Sequence, residues 1–260
     1  MFLKFENDAI EVTSFDLTTR RQRKRASDLP VIRIVQISDL QCKQFGGNQA
    51  VLIQKIRENR PDLIVITGDL IDAFHYDAMS WRDLCTQLPD IAPIYFVSGN
   101  HEWWAGNFQE VSEFLIKNHI HVLQNSSEEV TIRGRSIVIA GIDDPAANNG
   151  DARAYKKSVS QLGATIENAR YTVLLAHRPE FFKNYDKAGF DLVLSGHAHG
   201  GQIRLPILGG LVAPNQGIFP KYTAGLYTGA HTKMIVSRGL GNSIFPQRIF
   251  NRPEIVVVDI

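Results

Sequence analysis

Short apolar runs along the chain alternate with polar loops and with stretches whose apolar positions recur every three to four residues. Residues 31–37, 63–66 and 94–97 are rich in β-branched side chains and predict buried strands. Between the first two, 48–59 carries Val51, Leu52 and Ile56 at helical spacing, with Asn48 as the expected N-cap. Helices are also predicted over 77–88, over 152–162, and over 108–117, where Val111, Phe114 and Leu115 share one face. Residues 130–132 and 136–140 flank Gly134 as a hairpin. Further strands are expected at 172–175, 191–194, 233–236 and 255–259, with an edge strand at 9–15. Residues 203–230, rich in Gly and Pro, read as an irregular loop.

Strands that alternate with helices and then give way to a strand-rich second half predict an α/β protein with two sheets face to face and helices outside. Neither a repeat nor a linker divides the chain, so a single domain over 1–260 is expected, with 1–30 an edge strand and a basic segment. A chain of 260 residues, 44% hydrophobic, can fill a core of that size.

The net charge of +1 gives no global field toward nucleic acid, and no specific nucleic-acid partner is expected. Locally, Arg20-Arg21-Gln22-Arg23-Lys24-Arg25 is basic enough to touch an anionic membrane or wall polymer, although such runs are commonly just solvated. No apolar run reaches the ~18 residues of a membrane span, and no secretory signal is read at the start. Cys42 and Cys85 form no disulfide framework, which fits a reducing compartment. The expectation is a soluble protein, cytoplasmic or peripheral at the cell envelope.

The chemistry lies in five blocks, each where a predicted strand gives way to a loop. They are Ser38-Asp39-Leu40, Thr67-Gly68-Asp69, Gly99-Asn100-His101-Glu102, Ala176-His177 and Gly196-His197-Ala198-His199-Gly200. All offer Asp, Asn or His. Divalent metals used in hydrolysis favour such mixed oxygen and imidazole ligands. A two-metal site needs a carboxylate that bridges ions about 3.5–4 Å apart, and Asp69, after the turn-forming Gly68, is the candidate. In an extended His-x-His both rings point to one side, so His197 and His199 can serve adjacent metals.

In this order the blocks resemble the calcineurin-like metallophosphoesterase superfamily. Gly200-Gly201-Gln202, Ser237-Arg238-Gly239-Leu240-Gly241 and Gly141-Ile142-Asp143-Asp144-Pro145 are similar to its bacterial YkuE/YaeI-like phosphodiesterase branch. The resemblance implies a four-layer α/β/β/α sandwich with a dinuclear metal site at the strand ends. It implies that Asp39 and His199 bind a first metal, that Asp69 bridges, and that Asn100, His177 and His197 bind a second. His101 would contact the phosphoryl group and assist the leaving oxygen. The ions would be two divalent metals, Mn, Fe or Zn. The activity implied is hydrolysis of a phosphomonoester, phosphodiester or pyrophosphate by a metal-activated hydroxide, on a substrate that is lipid- or nucleotide-linked by analogy with the branch.

One position departs from the pattern. The superfamily's first block is Asp-x-His, and this chain has Gln41 at the His position. An amide oxygen is a poorer ligand than imidazole, so a weakened but occupied first site is expected. A metal-binding relative of low activity is the rival reading, and a UDP-sugar lipid pyrophosphatase is a narrower one.

The remaining polar residues have plainer readings. Glu102 is expected as a hydrogen-bond partner, Asp143-Asp144 as a turn, Cys42 as a small buried hydrophobe, and His119-x-His121 as half-exposed backbone. Trp103 and Trp104 either hold a substrate group near the mouth or plug the core. Residues 203–219 pack, form an oligomer contact or form a lipid-facing lip, and Arg204 nearby would meet a phosphate.

Overall fold

The computed structural model describes residues 2–18, 30–166, 170–205, 208–242 and 245–260. The basic run at 20–25 lies outside the described residues. The chain opens with α1 (Phe2–Asp8) and β1 (Glu11–Asp16), then β2 (Arg33–Ile37), α2 (Ala50–Glu58), β3 (Leu63–Thr67), α3 (Ala78–Gln87) and β4 (Ile94–Val97). Next come α4 (Asn100–Trp104), α5 (Phe108–Lys117), β5 (His121–Val122), β6 (Ser126–Ile132), β7 (Arg135–Gly141), α6 (Ala152–Thr165), β8 (Tyr171–Leu175), α7 (Phe182–Ala188) and β9 (Leu192–Ser195). Short strands β10 (Arg204–Leu205), β11 (Gly209–Gly210), β12 (Val212–Ala213) and β13 (Gly217–Ile218) precede β14 (Gly225–Thr228), β15 (Lys233–Val236) and β16 (Glu254–Asp259).

Two six-stranded sheets result, in the orders β1-β16-β2-β3-β4-β5 and β14-β15-β9-β8-β7-β6. Both are mixed. In the first, β2 to β5 run parallel and β16 lies antiparallel to β2. In the second, β15, β9, β8 and β7 run parallel, flanked by antiparallel β14 and β6.

The period-2 alternation of strand side chains sorts the apolar residues into three cores. In β3, Ile64 and Ile66 face Trp81, Leu84, Val111 and Leu115 of the helices. Leu63 and Val65 face Val173, Leu175, Leu192 and Leu194 of the other sheet. On that sheet's far side, Leu174, Val193 and Met234 pack on Tyr155, Val159 and Tyr185 of α6 and α7. Helix, sheet, sheet and helix are thus the four layers expected. No helix among the described residues is long and apolar enough to cross a membrane.

Several local expectations need correction. Asn48 does not cap α2: it has φ 51°, Gln49 precedes the helix, and neither side chain caps it. Gln49 instead uses its amide to bind the backbone of Phe45, Lys43 and Ser80. The hairpin is longer than its apolar stretch, because Ser126 to Glu129 are exposed and carry no apolar signal. Residues 203–230 are not wholly irregular, since they hold two antiparallel ribbons, β10–β11 and β12–β13, and strand β14.

Candidate metal centre

Strands β2, β3, β4, β8 and β9 deliver the five blocks to their carboxyl ends, where ligands of open α/β sheets gather. Asp39 and Asp69 leave their strands with φ 51° and 53°, and His197 and His199 have φ 65° and 46°. The His-x-His segment is therefore wound rather than extended, contrary to the alternation argument. Winding still turns both rings inward, and all of these residues are buried. Two glycines make the approach possible. A Cβ on Gly99 would lie 2.1 Å from Asp69 Oδ1, and one on Gly196 would lie 1.9 Å from Ser38 Oγ.

Two groups of side chains share Asp69. In one, Asp69, His177 and His197 place a ligand atom each within 4.8 Å of one another; in the other, Asp39, Asp69 and His199 do so. His177 Nδ1–H donates to the Thr67 carbonyl at 2.7 Å, which leaves Nε2 facing Asp69 Oδ2 at 3.2 Å. His197 Nδ1 lies 3.2 Å from the same Nε2. His199 Nε2 lies 3.4 Å from Asp39 Oδ1 and 3.2 Å from Gln41 Nε2. Asp39 also accepts the His197 amide N–H.

This donor set fits divalent cations. Lone pairs of carboxylate and imidazole converge at distances where, without a cation or proton between them, they repel. Asn100 Oδ1 and Gln41 Oε1 are buried with no hydrogen-bond partner in the protein. The electrostatics agree. Burial opposes charge on His177, but Asp69 beside it raises the ring to about 10. Burial likewise opposes ionisation of Asp69, and the charge and hydrogen bond of His177 hold it well below the usual carboxylate range. A site that stabilises a positive charge next to Asp69 is one suited to a metal ion.

His101 sits at the edge. Its Nδ1 accepts the Ala73 amide at 3.0 Å, so its proton is on Nε2, 4.0 Å from Asp69 Oδ2. The exposed rings of Phe74 and Trp104 flank it, with centroids 5.8 and 5.4 Å away. A cavity of about 640 Å³ opens beside it, lined by Gln41, Lys43, Phe74, Asn242 and Pro246 among others. Glu102 lies beneath. It accepts N–H bonds from Leu70 and Gly99, both at 2.7 Å, and from Asp69 at 3.1 Å, and so ties the second block to the third. Burial, then the charge of Asp69, pushes it up to about 7.

Some expectations shift here. Cys42 is only half-buried, and its Sγ accepts the amides of Asp72 and Asp77. Trp103 Nε1–H donates to Ser98 Oγ while its ring stacks on Phe108, whereas Trp104 is exposed beside His101. Arg204 donates to the Gly200 carbonyl at 2.8 Å and reaches no member of the buried cluster by a hydrogen bond. His121 is exposed and pairs with Glu128. Asp144 does cap a turn, but it also grips Arg178 through two bonds, at 2.6 and 3.0 Å. Arg178 went unnoticed in the sequence. Its one available signal is adjacency to His177, because a buried arginine must be paired.

The sequence model of the calcineurin-like phosphoesterase family matches residues 32–201. The chain is 32% identical over 232 residues to the metallophosphoesterase YkuE of Bacillus subtilis (strain 168), covering 86% of this chain and 77% of that one. It is 30% identical over 253 residues to phosphodiesterase YaeI of Escherichia coli (strain K12), covering 95% and 88%. Among solved structures, phosphopantetheinyl hydrolase from Mycobacterium tuberculosis aligns with a TM-score of 0.51 at 12% identity, covering 83% of this chain and 94% of that one, a likeness of fold alone.

Proposed function

The chain belongs to the calcineurin-like phosphoesterase family and is a metal-dependent phosphoesterase, and from that premise we propose that it hydrolyses phosphodiesters at a dinuclear centre. The observation that carries this reading is the pair of ligand groups sharing Asp69, with the Nε2–H of His101 beside them. Asp39, Gln41, Asp69 and His199 would hold one ion, and Asp69, Asn100, His177 and His197 the other. Divalent ions held there supply Lewis acidity and lower the pKa of water toward neutrality.

The protein does the rest. Asp69 is kept ionised. Asn100 and Gln41 offer amide oxygens; Gln41 does so after a half-turn of its amide, which exchanges Nε2 for the unpartnered Oε1. His101, its tautomer set by Ala73, donates from Nε2 to the departing oxygen. Phosphodiester is favoured over phosphomonoester or pyrophosphate because the cavity beside His101 has room for an alcohol group and the relative YaeI is named a phosphodiesterase. A second, apolar cavity of about 440 Å³ is lined by Ile203, Leu211, Val212, Pro214 and Phe245. With Ile218 and Phe219 exposed, it supports a lipid-linked ester over a nucleotide-linked one, and a peripheral seat at the envelope.

Metal analysis combined with hydrolysis of bis-p-nitrophenyl phosphate tests the proposal. Two equivalents of metal and turnover with Mn²⁺ are expected, and both should be lost in Asp69→Ala. Full metal occupancy without turnover across a panel of phosphoesters would favour the low-activity relative instead.

A further inference from the structure

The turn between β12 and β13 carries a residue into the buried cluster from outside the five blocks. Pro214 takes the first central position of that turn, Asn215 the second with φ 59°, and Gln216 N–H closes on the Ala213 carbonyl at 3.2 Å. Proline presets the first angle, and asparagine tolerates the left-handed second one. Asn215 Oδ1 then lies 3.1 Å from His197 Nε2 and 2.7 Å from Arg178 Nη1. A guanidinium nitrogen only donates, so the amide atom at 2.7 Å is the oxygen. Arg178 Nη1 also lies 2.8 Å from His197 Nε2.

Two groups therefore compete for one ring nitrogen. Arg178 can engage Nε2 only if Nε2 bears a lone pair, which puts the ring proton on Nδ1. Asn215 Oδ1 accepts, and so engages Nε2 only if Nε2 bears the proton, which leaves the lone pair on Nδ1. Nδ1 is the nitrogen that faces His177 and the Asp69 group. We propose that Asn215 is a positioning residue that selects the His197 tautomer able to bind a metal, against the opposing donor Arg178. Its oxygen also accepts one of the two Nη1 hydrogens of Arg178 and so ties the guanidinium to the same turn. Asp144 holds the guanidinium in place for this exchange. The inference rests on the reading of Asp69, His177 and His197 as an ion site, but its tautomer readout does not.

Asn215→Gly deletes the acceptor and tolerates the turn's positive φ. Calorimetric titration of the full chain with Zn²⁺ should show one ion bound roughly 10- to 100-fold more weakly, the usual range for losing an outer partner of a metal-binding His. Asn215→Asp, which retains an acceptor, should restore the affinity. Long-range ¹H–¹⁵N spectra, recorded without metal, should show His197 protonated on Nε2 in the parent and on Nδ1 in Asn215→Gly. An unchanged tautomer, or unchanged affinity in Asn215→Gly, would overturn the inference. A parent that binds no zinc but whose tautomer still shifts with Asn215→Gly would overturn the ion-site reading, and with it the metal-binding role, while showing that Asn215 sets the tautomer.

Discussion

In the proposed dinuclear centre, Gln41 is the residue on which the strength of the first ion would depend. It is buried, its Oε1 lacks a partner, and its amide lies 3.2 Å from His199 Nε2. Imidazole outranks an amide oxygen as a ligand for late first-row metals. Gln41→His should therefore tighten one ion of the proposed pair by about tenfold, ~1.4 kcal/mol. Equilibrium dialysis with Zn²⁺ measures this, and identical isotherms for the two proteins would mean that position 41 does not reach the metal. The side chains that converge on Asp69 were legible in the sequence, because Asp, Asn and His placed after apolar runs have few other reasons to recur. The groups that aim them were not. Arg178 and Asn215 meet His197 from positions 19 and 18 residues away. The tautomer of His101 hangs on the backbone N–H of Ala73, which no side-chain pattern encodes.

Elements were legible where the apolar period was long. Strands β2, β3, β4, β8 and β9 stood out as buried runs. Helix α1 spans 7 residues and buries only Glu6, too little for a period to show. Helix α4 begins inside the third block, where Glu102 accepts the amide of Gly99, so a functional motif and a helix start share the same residues. The strand ends also demand close approach between blocks. In Gly196→Ala the new Cβ would sit 1.9 Å from Ser38 Oγ and 2.4 Å from Asp39 Oδ2. Overpacking of this kind costs about 1–3 kcal/mol, and it should also weaken any ion that Asp39 and His199 hold in the proposed centre. Urea denaturation and metal titration check the two effects together; wild-type values in both would show that β9 and β2 can separate freely at this point.

At the scale of the molecule, the core and the site occupy different ends of the same strands. Ile137 is fully buried between the sheets and pairs with Tyr171, which lies six residues before His177. Along a strand that is about 20 Å. Ile137→Ala should cost about 2–4 kcal/mol of unfolding free energy while leaving the metal affinity of the folded protein unchanged. A fall in affinity at temperatures where the variant is fully folded would contradict the separation. The four layers were legible as a class, because their strands and helices announce themselves. Their order was not, since no local pattern says that β16 belongs between β1 and β2.

That placement governs timing during synthesis. Strand β2 is made early, yet its antiparallel neighbour is drawn from residues 254–259, and β1 must wait for the same segment before it has a parallel partner. Thr13 and Glu254, hydrogen-bonded across that seam, are separated by 241 positions. Closing so long a loop precedes any reward from the contacts it makes. Until residues 254–259 have emerged, the strand that leads into Asp39 has no neighbour on that side, so the sheet that carries Asp39, Asp69 and Asn100 can be completed only by the last strand to be made.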